Sequence, residues 1–232
     1  MFLKCIMGIL LLIFVQESLA IPFSKKVKCQ KTLLGGKSVV IISGTTREGA
    51  NSYRVSQIVE NQIREEVGSD PDMHIQLMNL VDWQDQSALE LAEWLQGDRS
   101  TPRPDYWNNT PSFRDNYDVP IAIADTIVIV HPEYNKGMSG ELKAFLDRLS
   151  TRKFNNHQIF TIAIAAGPRG GLVPDEHLHS TLSKRGAAYS EDDRLQINFV
   201  DGFFFDDDRQ PIENPTLDNR VTRFISRIAN SL

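Results

Sequence analysis

Apolar residues fall along this chain in two rhythms. Three short, nearly unbroken runs, Val39–Ile42, Thr126–Val130 and Ile159–Ala165, are rich in β-branched residues, while His74–Leu80 alternates loosely and Leu195–Val200 is a further strand candidate. All are too brief for helices, and the continuous apolar character of the three unbroken runs predicts strands buried on both faces. Between them the spacing changes to three and four. Val55, Ile58, Val59 and Ile63 share one face of a helix over about 52–67, and Leu142, Phe145, Leu146 and Leu149 do so after the third strand. Further helices are predicted over 87–96 (Leu91, Trp94 and Leu95 inward), around 117–124, over 175–185, and over 217–230 with Val221, Phe224, Ile225 and Ile228 inward. Strand and helix alternate without repeats, so the pattern predicts a single α/β domain over 38–232 with a parallel sheet covered on both sides. Residues 97–116 carry Pro102, Pro104 and Pro111 and few aliphatics, and read as a long loop.

The first twenty residues have another character. A short positive start, an apolar run from Cys5 to Val15 and the small residues Ser18 and Ala20 have the layout of a secretory signal peptide. The run is shorter than the ~20 residues a bilayer span needs. The expectation is cleavage after Ala20, a basic arm over 21–37, and a mature chain with no membrane span, placed outside the cell or in the secretory lumen. Cys29 would then be the sole cysteine, so an internal disulfide is excluded and the core must supply stability. One N-glycosylation sequon, Asn108-Asn109-Thr110, lies in the proline-rich loop.

Composition adds little beyond this. A hydrophobic content of 41%, a charged content of 24% and 232 residues describe one ordinary globular domain. A net charge of −5 with no basic stripe argues against a nucleic-acid partner. His177 and His179 stand two apart on a helix and so face different ways, which makes them poor metal ligands. No paired acids or nucleophile elbow can be read, so neither catalytic residues nor a metal site are assigned.

The chemistry gathers in the loops that follow strands, where open parallel sheets bind ligands. Gly44–Ser52 (GTTREGANS) joins the first strand to a helix and supplies Thr45, Arg47 and Ser52. Hydroxyls and a guanidinium at a helix start can hold a phosphate, and the same residues can equally be a plain capped helix start. The segment lacks both the lysine of a P-loop and the spacing of a dinucleotide fingerprint. Pro132–Gly140 follows the third strand, and Ala166–Gly171, with three glycines, follows the fourth. Glycines there allow close backbone approach.

Pro132-Glu133-Tyr134-Asn135, followed by Leu142-Lys143 and Asp147, resembles the signature of the NADPH-dependent FMN reductase family. Gly44, Thr45, Arg47 and Gly49 resemble that family's G-S-x-R-x-G segment, with Thr in place of Ser. Ala144 stands where an Asn commonly follows the Lys. The resemblance implies a flavodoxin-like three-layer sandwich with strand order 2-1-3-4-5. It implies FMN held by Thr45, Arg47 and Ser52 at its phosphate and by Pro132, Glu133, Tyr134 and Asn135 around its ring. Gly167 and Gly170 would line the ring's pyrimidine end. It further implies NADPH as electron donor, a quinone, azo compound, metal ion or free flavin as acceptor, and a homo-oligomer. A rival of another class is a secreted flavin-binding or matrix protein that uses the fold without catalysis; the retained Thr45, Arg47 and Ser52 speak against it.

Overall fold

The computed structural model describes residues 36–47, 49–68, 70–83, 113–149, 154–155, 157–168, 170–187, 190–204 and 219–232. The predicted leader and arm, the helix over 87–96, and residues 97–112 of the long loop with its sequon lie outside the described residues. Five strands form one sheet, β1 (Ser38–Ser43), β2 (His74–Asn79), β3 (Thr126–Pro132), β4 (Gln158–Ile164) and β5 (Arg194–Ile197). All neighbours are parallel, in the order β2-β1-β3-β4-β5. This is the flavodoxin-like order that the resemblance implied.

The strand runs are continuous because both faces are covered. In β1, Val39 and Ile41 belong to one apolar cluster, whereas Val40 and Ile42 belong to the other. Strand side chains alternate between faces, so one uninterrupted run serves two cores. The first core lies under α1 (Asn51–Val67) and the C-terminal helix α5 (Asn219–Asn230), with Val55, Val59 and Ile63 facing Val221, Ile225 and Ile228. The second lies under α2 (Val119–Ile123), α3 (Gly140–Arg148) and α4 (Leu172–Ser183). Strand β2 is one edge of the sheet and is correspondingly only half-buried.

Several element ends differ from those expected, each for a local reason. The short helix predicted around 117–124 begins as a π-helical segment, Arg114–Asp118, before becoming α2. Helix α4 starts three residues before the predicted Asp175, because Gly170 and Gly171 take φ of 60° and 78° and turn the chain directly into it. Pro174 sits in its first turn, where a missing N–H costs nothing. Strand β5 stops at Ile197 rather than Val200, since Phe199 adopts a left-handed conformation and a single 3-10 turn, Val200–Phe203, comes after it.

Candidate functional site

The carboxyl ends of β1, β3, β4 and β5 converge on a cleft of about 510 Å³. Its size is that of a small-ligand pocket. Its first wall is the start of α1, where Gly49, Ala50, Asn51 and Ser52 face it together with Arg47. Ala50 occupies the cap position and provides no side-chain hydrogen bond, and the first turn contains no acid. The free N–H groups of that turn therefore present their partial positive charge to the cleft without a competing carboxylate of their own. The Ser52 hydroxyl is fully buried and has no hydrogen-bond partner among the described residues. An unpaired buried hydroxyl is costly, and a ligand oxygen at the helix start would satisfy it.

Directly behind this wall, the Thr45 hydroxyl accepts the Arg47 N–H at 3.2 Å and shares a 3.0 Å hydrogen bond with the Tyr134 hydroxyl. The loop after β1 and the loop after β3 are thus joined through side chains. A second tie lies below, where the buried Ser139 hydroxyl donates to the Gly44 carbonyl at 2.6 Å. The same oxygen accepts the Leu142 N–H at 3.1 Å and so caps α3. Gly44 is tightly enclosed, since a Cβ would stand 3.0 Å from His131 Cβ, Leu142 Cδ2 and the Val130 carbonyl oxygen.

The second wall is Pro132, Glu133 and Tyr134. Glu133 donates its N–H to the Ile164 carbonyl at 2.9 Å, which fastens the loop to β4. Tyr134 and Gly137 exchange two backbone hydrogen bonds of 2.9 Å around Asn135 and Lys136, both with positive φ (50° and 62°). This is a tight two-residue turn of the hairpin type, for which Asn is among the preferred residues. Asn135 is exposed at its tip and does not line the cleft.

The remaining walls are Ile164, Ala165 and Ala166 after β4, and Val200 and Asp201 after β5. Asp201 accepts a 2.6 Å hydrogen bond from the Asn51 side chain and so closes the ring of loops back onto α1. Neither Gly167 nor Gly170 lines the cleft. Gly170 packs against β5, with a Cβ there 3.3 Å from Gln196 Cβ, and Gly171 against β4, with a Cβ 2.9 Å from Ala163 Cβ. Their backbone freedom serves the sheet's own packing. Arg47, Ser52, Pro132, Glu133 and Tyr134 are therefore brought together, with Thr45 immediately behind. Sequence pattern alone does not single out Val200 and Asp201, because Val200 reads as the end of a strand. The signal that could have found them is position, since the loop after the fifth strand shares its sheet edge with the other three.

Beneath the loop after β3, on the opposite face of the sheet, His131 is completely buried. Its Nε2 lies 3.4 Å from Asp175 of α4, whose other oxygen accepts Arg194 Nε at 2.6 Å. Burial opposes the charge on Asp175, but hydrogen bonds and the charges of His131 and Arg194 outweigh it and hold the carboxyl below its usual range. Burial likewise opposes the charge on Arg194, but its bonds to Glu176 and Asp175 exceed that effect and push it up. No group of three or more potential metal ligands occurs among the described residues.

The fold and this cleft define a flavodoxin-like α/β protein with a small-ligand-sized pocket at the carboxyl edge of its sheet. The family model for NADPH-dependent FMN reductases matches residues 38–200, and the chain belongs to that family. It is 36% identical over 63 residues to an NADPH azoreductase from Bacillus sp. (strain OY1-2), a match covering 27% of this chain and 35% of that protein. The matched part thus spans about a third of that relative. Two solved structures share the fold with a TM-score of 0.58 while this chain is 84% covered in each. One is an oxidoreductase from Corynebacterium diphtheriae, 16% identical and 93% covered. The other is FerB, a flavoenzyme NAD(P)H:(acceptor) oxidoreductase from Paracoccus denitrificans, 14% identical and 94% covered.

Proposed function

We propose that the protein is an FMN-dependent NAD(P)H oxidoreductase that passes electrons from NADPH to a small-molecule acceptor. The observation that carries this is the buried Ser52 hydroxyl, without a hydrogen-bond partner among the described residues, at a helix start with no side-chain cap and with Arg47 on the same cleft. These residues fit a phosphate. Ser52, the N–H groups of the first turn of α1 and the Arg47 guanidinium would hold the phosphate of FMN, while Pro132, Glu133 and Tyr134 would border its ring. Bound FMN supplies two-electron transfer between donor and acceptor. The chain's own part is placement. Thr45 fixes Tyr134, Ser139 fixes the two loops to each other, and Glu133 is pinned to β4. A preformed cavity of this kind saves the ordering cost of binding.

The azoreductase relative favours an azo compound or another small organic molecule as the acceptor. The sequence further supports export through the signal peptide over 1–20, and the family resemblance supports a homodimer. The deciding experiment is reconstitution of the purified protein with FMN, followed by anaerobic NADPH. The expected result is a yellow protein whose visible flavin absorbance disappears on addition of NADPH and returns with a quinone. A yellow protein that does not bleach would leave only a flavin-binding module.

A further inference from the structure

We infer that Asp201 is a specificity-determining residue of the cleft, a fixed carboxylate at its phosphate end that makes retention of a phosphate monoester depend on the ester's charge. This deepens the flavin reading of the cleft and rests on it. The first turn of α1 contains no acid, and Ala50 at the cap position offers no side-chain hydrogen bond. A helix start of that kind attracts an anion. A carboxylate is nevertheless brought to it from 150 positions away, since the side chain of Asn51, the first residue of α1, donates to Asp201 Oδ1 at 2.6 Å. Both residues line the cleft, as does Ser52, whose buried hydroxyl has no partner among the described residues. The carboxylate and the donors proposed for the phosphate therefore share one helix end.

The turn that carries Asp201 is anchored on both sides. Val200 donates its N–H to the Ala165 carbonyl at 3.0 Å, and Phe204 donates its own to the Asp201 carbonyl at 3.0 Å. The side chains of Val200 and Phe204 are buried in the first core, and the guanidinium of Arg54 in α1 lies over the Phe204 ring at 5.6 Å. A ligand phosphate thus meets the Asp201 charge in place. The other ionisable side chains lining the cleft are Arg47 from the loop after β1 and Glu133 and Tyr134 from the loop after β3. The lining residues from the start of α1 and from the end of β4 carry none. Arg47 and the helix end favour a phosphate, whereas Asp201 opposes it in proportion to the charge the phosphate bears. A phosphate monoester passes from one negative charge to two near a pH of about 6. Asp201 consequently penalises it more above that pH than below, and leaves a ligand without a phosphate untouched.

The test measures binding of FMN and of riboflavin to the parent, Asp201→Asn and Asp201→Glu proteins by fluorescence titration at about pH 5.5 and about pH 8, on either side of the ester's second ionisation. Asp201→Asn keeps an oxygen that can accept from Asn51 and loses only the charge. The expected result is FMN binding about tenfold tighter than the parent's at the higher pH and about threefold tighter at the lower, because the repulsion scales with the ligand's charge. Asp201→Glu stays near the parent, and riboflavin binds all three alike. Equal FMN affinities in parent and Asp201→Asn overturn the inference. Weaker FMN binding in Asp201→Asn overturns it too, since the carboxylate would then be a ligand contact. A gain shared by riboflavin, or one of the same size at both pH values, also overturns it by pointing to packing rather than charge. Should the parent bind neither flavin, the flavin reading falls separately. Inorganic phosphate is then the probe, by calorimetry, with tighter binding to Asp201→Asn upholding the inference and equal affinities overturning it.

Discussion

At the scale of single residues the cleft is a contest between two charges. Arg47 and the start of α1 draw an anion inward, whereas Asp201 and Glu133 repel one, and Asp201 is held beside the start of α1 by its hydrogen bond from Asn51. Ser52, Arg47 and the N–H groups of the first turn of α1 are the donors in the cleft that a phosphate would take. Losing a hydrogen bond to a charged group costs about 1.5–3 kcal/mol, so Arg47→Ala should weaken FMN retention by about 10- to 100-fold. Ser52→Ala should weaken it too, and should not destabilise the ligand-free protein, because the hydroxyl removed there has no partner among the described residues. Fluorescence titration of released FMN, with melting curves of the apoprotein, checks both. Unaltered retention in Arg47→Ala would place the phosphate elsewhere. These two residues are legible in the sequence because a loop between a buried strand and a helix restricts where they can point. Asp201 is not, since only the sheet order brings it to Asn51 across 150 positions. The resemblance makes Asn135 a cofactor contact, whereas its positive φ shows what the backbone itself asks of that position.

Among elements, the buried His131–Asp175–Arg194 chain joins the end of β3, the first turn of α4 and the start of β5. It lies on the face opposite the cleft because strand side chains alternate, Pro132 facing the ligand side and His131 the other layer. The lowered Asp175 pKa makes the tie pH-dependent. A carboxyl whose folded pKa lies below its unfolded value, about 3.9 for Asp, stabilises fully above that value. The contribution is lost as pH falls from there through the folded pKa. Thermal melting between neutral pH and about pH 3 should accordingly show an acid-side decline that Asp175→Asn makes shallower. At neutral pH the same variant should cost about 1.5–3 kcal/mol, since Arg194 keeps Glu176 and Glu191 but loses its buried partner. Equal steepness in both proteins would show that other carboxylates govern the acid limb. None of this chain of contacts is legible in the sequence. His131 reads as the residue just past an apolar run, and Asp175 as an acid at a helix start, because side-chain pairing across layers leaves no periodic trace. The strands themselves are legible to within a residue, except that β3 runs two residues past the predicted Val130 to Pro132 and β5 stops early before Phe199.

For the whole molecule, the strand order is what turns four separate loops into one site. Periodicity alone predicts five strands and both helical layers, because a sheet covered on both faces demands unbroken apolar runs. It does not contain the order β2-β1-β3-β4-β5, which comes from the family signature and sets β1 beside β3. That adjacency brings the Thr45 hydroxyl to Tyr134 and the Ser139 hydroxyl to Gly44. A ligand in the cleft consequently touches loops from four strands at once and should stabilise the domain as a unit. Binding to the native state alone adds about 2.7 kcal/mol when free ligand reaches about a hundred times Kd. In hydrogen exchange, FMN should protect residues 44–47, 49–52, 132–137, 164–168 and 198–202 together. The edge strand β2 and the far end of α5, remote from the carboxyl edge, should change little. Protection restricted to the loop after β1 would mean that the phosphate end binds without engaging the ring-bordering loops, and the cleft would then be an anion site rather than a flavin site.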